Sequence, residues 1–253
     1  MSDKLLAADE PPAVTELRRD GGSDFVIVVD HASRLLPKKL GTLGLQESDL
    51  SRHIAWDIGA LAVARLVSAA LDAALVAQNY SRLVIDCNRD PVMESAIPTI
   101  GELTPIPGNH DLSDQARQAR IAAIFTPYHD HIRALLDERD RQGRRTILIA
   151  QHSMTDLFKG QRREMQAAVM YNRDGRVAQP LREALGIGGL TVADNQPYAM
   201  TDDSDFTLPC HGEKRGLMHV GIEIRQDLVK DEAGQAEWAA RVAAALEVTR
   251  SKL

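Results

Sequence analysis

Short, uninterrupted apolar runs recur along this chain, and each one ends in polar residues. The runs at residues 25–29, 83–85, 147–150 and 220–224 are rich in Val, Ile and Leu. Runs of this kind are typical of strands that are buried on both faces of a parallel sheet covered by helices. Ligands collect beyond the carboxyl ends of such strands, so we predict an α/β fold in which the polar residues after these runs form one site.

The remaining pattern predicts further strands and several amphipathic helices. Irregular structure is expected at 90–112, which holds four prolines and two glycines, and long loops of this kind are usually binding loops or lids. Pro127 should bend the helical region that contains it. The other predicted strands are 74–78, 81–87, 166–172, 190–193 and 218–225, and the predicted helices are 51–72, 113–142, 177–185 and 229–248.

The length of 253 residues fits one large domain, because no Gly-, Ser- or Pro-rich linker divides the chain. Residues 1–23 are expected to form a partly ordered lead-in, with breakers at Pro11-Pro12 and Gly21-Gly22. The catalytic domain should therefore span residues 24–253.

Charge and cysteine content exclude several function classes. The net charge is −6 and the 30 basic residues are scattered, which argues against nucleic-acid and membrane partners and favours a small molecule. The two cysteines give no disulfide framework and the polar start has no signal-peptide core, so a cytoplasmic setting is expected. No apolar run approaches the roughly 20 residues that span a bilayer. The oligomeric state is left open.

Two histidines and an aspartate are the candidate metal ligands. His31 and His152 each stand at the exit of an apolar strand, and Asp57 would complete a set of two histidines and one carboxylate. Such a set leaves a catalytic metal an open position for water. The alternative is that the histidines are structural and that His53 and Asp57 are a solvated pair on a helix.

Glu223 is the candidate general base. It interrupts the apolar run 220–224, where a charge is costly to bury unless it is paired. A glutamate there could take a proton from the attacking water and return it to the leaving amine. The alternative is a glutamate on the wet face of an edge strand, paired with Arg225.

Arg89 and Arg225 follow two of the apolar runs. A guanidinium group can bind a carboxylate through two hydrogen bonds, so both are candidates for holding an acidic substrate. The alternative is that they pair with Asp86, Asp90 or Asp227.

Seven motifs in a fixed order carry a resemblance to a known family. They are DHAS at 30–33, HIAWDIGA at 53–60, YSRLVIDCNR at 80–89, PYH at 127–129, QHSM at 151–154, NQPY at 195–198 and GIEIRQDL at 221–228. Together they resemble the N-formylglutamate amidohydrolase family over residues 24–229. That family is similar in fold to zinc carboxypeptidases and muramoyl-alanine amidases. The resemblance therefore implies a phosphorylase/hydrolase-like, zinc exopeptidase-like fold with a twisted, mostly parallel mixed sheet between helices.

The resemblance implies a metal-dependent hydrolase that cleaves a linear amide on an acidic amino acid. His31 and His152 match the metal histidines of the superfamily, and Glu223 matches its glutamate base. Arg34 stands where carboxypeptidases have a ligand glutamate, so the carboxylate ligand is expected at Asp57, as in the related amidases, with His53 as the fallback.

The same resemblance assigns the metal and the substrate-binding residues. The expected metal is a single divalent ion, zinc by preference, although nitrogen and oxygen ligands also accept iron, cobalt or manganese. Asn88 and Arg89 resemble the Asn-Arg pair of the superfamily that binds a substrate carboxylate. The further pocket residues that the resemblance suggests are Asn195, Tyr198, His211 and Arg225.

Two other functions fit the sequence. One is a metal amidase for another N-acyl amino acid or for a peptidoglycan fragment, since loops set the size of the pocket. The other is a binding module without catalysis, in which the histidines are structural.

Overall fold

A seven-stranded sheet organises the part of the chain that this computed structural model describes, residues 4–253. Its strands are β1 (Val14–Leu17), β2 (Phe25–Val29), β3 (Ala74–Gln78), β6 (Ile147–Met154), β9 (Ala167–Met170), β10 (Val192–Asp194) and β11 (Met218–Arg225). Two short hairpins lie outside the sheet, formed by β4 (Ile100–Gly101) with β5 (Thr104–Pro105) and by β7 (Leu157–Phe158) with β8 (Gln161–Arg162).

The strand order is β1-β3-β2-β6-β11-β9-β10, and most neighbours are parallel. Among the described strands of this sheet, only the β1/β3 and β11/β9 pairs are antiparallel. The prediction of a mostly parallel mixed sheet is therefore confirmed. Because β2, β6 and β11 are adjacent and parallel, their carboxyl ends meet at one edge of the sheet, where such folds place their ligands.

Helices cover both faces of the sheet. The α-helices among residues 4–253 are α1 (Glu47–Leu50), α2 (Ala60–Leu71), α3 (Asp114–Arg120), α4 (Thr126–Arg141), α5 (Ala178–Leu185) and α6 (Glu232–Arg250). On β2, Phe25, Ile27 and Val29 pack with α2, α5 and α6, whereas Val26 and Val28 pack with α4. Burial of alternate side chains on opposite faces explains why this strand is apolar throughout.

The prediction of a strand at residues 81–87 is wrong. The segment forms turns, in which the Ser81 hydroxyl accepts the Leu83 N–H at 3.1 Å and an Asp86 carboxylate oxygen accepts the Asn88 N–H at 2.9 Å. These bonds from side chain to backbone replace the ladder that a strand would need. The expectation that four strand ends build the site therefore holds for three strands and one turn segment.

The helix predicted at residues 51–72 is too long. Residues 51–59 form turns, and α2 begins only at Ala60. Gly59 has a left-handed φ of 79°, and a Cβ there would lie 2.2 Å from the Val229 carbonyl oxygen. Glycine therefore lets the chain turn tightly against the segment between β11 and α6. His53 and Asp57 consequently do not share a helix face.

The helical region 113–142 is divided by a π-helical turn at Ile121–Phe125, and Pro127 lies in the first turn of α4, so the bend at Pro127 stays a prediction. The excursion at 90–112 is mostly irregular and carries the β4–β5 hairpin.

Within the predicted lead-in, β1 joins the edge of the sheet, while residues 1–3 lie outside the described part. No helix among residues 4–253 is long and apolar enough to cross a membrane.

Candidate active site

His31, Asp57 and His152 converge at the carboxyl edge of the sheet. His31 follows β2, His152 lies in β6, and the Asp57 N–H donates to the His31 carbonyl oxygen at 2.9 Å, which fixes the turn before α2. One potential ligand atom from each residue lies within 4.8 Å of the other two, and all three side chains are buried. The fallback residue His53 lines the same cavity but is not part of this cluster, and its Nε2 lies 3.6 Å from a Glu102 carboxylate oxygen.

The two histidines direct the same ring nitrogen at the same oxygen. His152 Nδ1 lies 2.9 Å from Asp57 Oδ2, and His31 Nδ1 lies 3.4 Å from that oxygen. The buried His31 Nδ1 has no hydrogen-bond partner among the described residues. Two imidazole nitrogens and a carboxylate oxygen that face one point are a ligand set that suits zinc and similar divalent metals. The residues present therefore fit a metal site.

A second carboxylate stands behind each histidine. Asp86 Oδ1 lies 2.7 Å from His31 Nε2, and Asp30 Oδ2 lies 3.3 Å from His152 Nε2. A carboxylate on the far nitrogen of a histidine keeps the proton there and leaves the near nitrogen free as a ligand, and it fixes the ring orientation. Both histidines are thus presented through Nδ1. Sequence reasoning did not assign this role to either aspartate.

The cluster is electrostatically suited to a cation. Burial favours the neutral form of His152, but contacts with Asp30 and Asp57 raise its pKa well above the usual value. Burial likewise opposes ionisation of Asp57, yet the two histidines hold its pKa far below the usual value. Burial also opposes ionisation of Asp30, and His152 nevertheless lowers the pKa of Asp30 to about 2. The carboxylates therefore stay charged and stabilise positive charge between the rings.

Glu223 lies beside this cluster. It pairs in register with His152 across the β11/β6 ladder, and its side chain lines the same cavity as His31 and Asp57. It is 8% exposed, and Oε2 has no hydrogen-bond partner within residues 4–253. Burial raises the pKa of Glu223 to about 7, against the effect of His152. The alternative of an exposed edge-strand glutamate paired with Arg225 is wrong, because β11 is central and Arg225 binds Asp227.

A cavity of about 600 Å³ opens over the cluster. Of the residues predicted to bind substrate, Asn88, Arg89 and Tyr198 line it. Others that line it were not predicted, namely Arg82, Arg162, Arg163 and Asp205. The volume lies within the range of small-molecule sites, and the mixture of cationic and anionic side chains indicates a polar, charged ligand.

Asn88 and Arg89 meet the 204–207 segment at the cavity wall. The Asn88 amide donates to Asp205 at 2.7 Å and accepts the N–H groups of Phe206 and Thr207 at 3.0 Å, so it anchors this segment. Arg89 Nη1 donates to the carbonyl oxygens of Asn88 and Ser204. Nε and Nη2 of Arg89 have no hydrogen-bond partner among the described residues, which leaves one edge of the guanidinium group for a ligand. Substrate binding by Asn88 stays a prediction.

Arg225 does not line the cavity, contrary to the prediction that it contacts substrate. Its Nε and Nη2 donate to Asp227, and Nη1 donates to the carbonyl oxygens of residues 163–165. All of its nitrogens are therefore used inside the protein. This is the alternative in which the arginine pairs with a nearby aspartate.

Asn195 and His211 also lie outside the cavity lining. The Asn195 side chain accepts the Tyr171 N–H at 2.9 Å and so joins the ends of β9 and β10. His211 is buried against His129, with 2.9 Å between His211 Nε2 and His129 Nδ1, and burial lowers its pKa to about 3. Both residues act in the fold, and the prediction that they line the pocket is wrong.

Arg82 is a cavity residue that sequence reasoning missed. Its Nε and Nη2 both donate to Asp86 Oδ2, at 3.1 and 2.6 Å, and its Nη1 lies 3.6 Å from Asp57. Arg82 thus holds the two carboxylates that face His31. The only available signal was its position inside the motif at residues 80–89.

Comparisons with known proteins show the family and the fold of the chain. The sequence model of the N-formylglutamate amidohydrolase family matches residues 23–230. A solved gene product from Agrobacterium tumefaciens is 39% identical, covers 98% of this chain and 99% of its own, and superposes with a TM-score of 0.95. The solved N-formylglutamate amidohydrolase from Ralstonia eutropha JMP134 is 20% identical, covers 95% and 98%, and has a TM-score of 0.68, which shows a shared fold. No curated protein matches the chain.

Proposed function

The chain belongs to the N-formylglutamate amidohydrolase family, and on that premise we propose that it cleaves the linear amide of an N-acyl acidic amino acid with the help of a metal. A suitable substrate is N-formyl-L-glutamate, which would give formate and free glutamate. The observation that carries the proposal is the convergence of His31, Asp57 and His152 beside Glu223, within a cavity lined by arginines.

His31, Asp57 and His152 would hold the metal, for which we propose zinc. A divalent ion held there would supply Lewis-acid polarisation of the amide carbonyl and would make water more acidic. The chain itself contributes the orientation of both imidazoles through Asp86 and Asp30.

Glu223 would move the proton that the reaction requires. Hydrolysis transfers a hydroxyl group from water to the acyl carbon, breaks the carbon–nitrogen bond and leaves the water proton for the departing amine. A carboxylate takes that proton and then returns it, a role that suits a group whose pKa lies near neutrality. The buried position of Glu223 and its pKa of about 7 support this role.

Arg89 would hold a carboxylate of the substrate. Its free Nε and Nη2 edge matches a carboxylate through two parallel hydrogen bonds, whereas the Nη1 contacts with Asn88 and Ser204 fix its direction. The cavity wall formed by residues 88–89 and 204–207 would therefore orient a negatively charged substrate or product.

Arg89→Lys should lower kcat/KM for N-formyl-L-glutamate by about tenfold to a hundredfold. Lysine keeps the charge but loses the planar pair of donors, and hydrogen bonds to a charged group contribute about 1.5–3 kcal/mol. Steady-state kinetics would measure the loss. Arg133→Lys is the control, because Arg133 is exposed and pairs only with Asp130 among the described residues. An unchanged kcat/KM would make Arg89 structural.

The reaction and the need for metal are tested together by a panel of N-acyl amino acids assayed with and without a chelator. We expect hydrolysis of N-formyl-L-glutamate, loss of activity after chelation, and recovery when zinc is added back. Activity that resists exhaustive chelation would refute the metal, and hydrolysis of only other N-acyl amino acids or peptidoglycan fragments would reassign the substrate. A protein without metal and without activity would favour the binding module.

The setting of the protein is part of the proposal. The sequence favours a cytoplasmic enzyme that acts on a small molecule, without nucleic-acid or membrane partners.

A further inference from the structure

Building on the proposed function, we infer that Arg163 forms a second carboxylate subsite in the cavity and selects substrates whose side chain carries a carboxylate. Arg163 lies between β8 and β9 and lines the same cavity as Glu223 and Arg89. It is distinct from every residue that the sequence singled out for substrate binding.

Arg163 has a free donor edge. Its Nη1 donates to the Thr155 carbonyl oxygen at 3.2 Å, while Nε and Nη2 have no hydrogen-bond partner among residues 4–253. No carboxylate of the described chain lies within 4.0 Å of its nitrogens, although Glu223 is within electrostatic reach. The side chain is half-buried, and burial lowers its pKa. A partly desolvated guanidinium group without an ion-pair partner is stabilised by an anionic ligand.

The side chain is also held in place before any ligand arrives. Its Cζ lies 5.3 Å from the centre of the Phe158 ring, and its backbone N–H donates to the Asp156 carbonyl oxygen at 2.8 Å. Arg225 supports the same segment from outside, since its Nη1 lies 3.1 Å from the carbonyl oxygen of Arg163. A donor pair fixed in this way loses little conformational entropy on binding.

Two other arginines of the cavity are less suited to bind the side-chain carboxylate of a substrate. Arg82 is committed to Asp86 and Asp57, and Arg162 is exposed. Arg89 enters the cavity from the turn after β3, whereas Arg163 enters from the segment that precedes β9. Two separate guanidinium edges in one cavity match the two carboxylates of a dicarboxylic amino acid. We assign the carboxylate next to the amide to Arg89 and the side-chain carboxylate to Arg163.

The test compares N-formyl-L-glutamate with N-formyl-L-glutamine, which has nearly the same size and a neutral side chain. The wild-type holoenzyme should prefer the glutamate compound by roughly tenfold to a hundredfold in kcat/KM, the usual effect of a charged hydrogen-bonded pair. Arg163→Gln should abolish that preference, mainly through KM, and should change the glutamine compound by less than about threefold. Arg163→Lys should retain part of the preference for the glutamate compound.

Arg133→Gln is the control, because Arg133 is exposed and lies outside the cavity lining; it should keep the preference. If Arg163→Gln lowers kcat for both compounds equally, Arg163 serves the reaction centre or the fold, and the inference is overturned. A wild type that hydrolyses both compounds without preference overturns it as well.

Direct binding separates this inference from the proposed function. If neither compound is hydrolysed, the proposed function fails, and calorimetric titration with the same two compounds then decides on the subsite. Tighter binding of the glutamate compound that is lost in Arg163→Gln supports it, and equal affinities refute it.

Discussion

The Glu223→Gln variant should fold, bind its metal and lose roughly a hundredfold or more of its turnover, the usual contribution of a positioned acid-base group. Glutamine has the size of glutamate and keeps an oxygen acceptor, but it cannot take up and return a proton. Because Glu223 Oε2 has no hydrogen-bond partner among the described residues, the exchange should break no bond that holds the fold. Steady-state kinetics, elemental analysis and a thermal melt would measure the three properties.

Glu164→Gln is the control for this variant. Glu164 lines the same cavity, but its side chain is exposed and has no role in the proposed reaction. It should retain near-normal kcat. If Glu223→Gln also retained near-normal kcat with its metal in place, the base would lie elsewhere, and His211 would be excluded as its replacement because it lies outside the cavity. A variant that fails to fold would favour a structural carboxylate.

His31→Ala and His152→Ala should each lower metal affinity by more than about a hundredfold and abolish most of the activity. Loss of a carboxylate behind a ligating histidine already costs about 10–100-fold in affinity, so loss of the ligand itself should cost more. Each variant removes one of the two Nδ1 atoms that face Asp57 Oδ2. Equilibrium dialysis followed by elemental analysis would measure metal content, independently of activity.

His110→Ala is the matched control, because His110 is exposed and distant in sequence from the cluster. It should bind metal like the wild type. Circular dichroism would show whether each variant is folded. Because both ligand positions are tested, the experiment still gives a result if one of the two variants does not fold. Wild-type metal content and activity in both folded variants would refute the site.

The sequence determined the frame of the protein because its strongest signals are local. The apolar runs of β2, β6 and β11 are long enough and rich enough in β-branched residues to identify buried strands without any tertiary information. Residues at or near the carboxyl ends of such strands meet at one edge of a parallel sheet, so His31, His152 and Glu223 were candidates from their positions, and the structure brings all three to one cavity. Asp57 was a candidate from its residue type, but only the tertiary structure shows how it reaches the histidines, because the helix expected around it does not form there.

Tertiary structure decided which polar side chains face the ligand and which hold the fold. Arg225 and Arg163 have the same chemistry, yet one has all its nitrogens bound inside the protein and the other keeps a free edge in the cavity. His211 likewise holds the fold and does not face the ligand, since its ring is buried against His129. Asp86 and Asp30 became outer partners of the histidines only because the turn at 81–89 and the end of β2 lie side by side. Residue type and spacing specify what a side chain can bind, whereas its partners depend on contacts between segments far apart in the chain, which no local pattern contains.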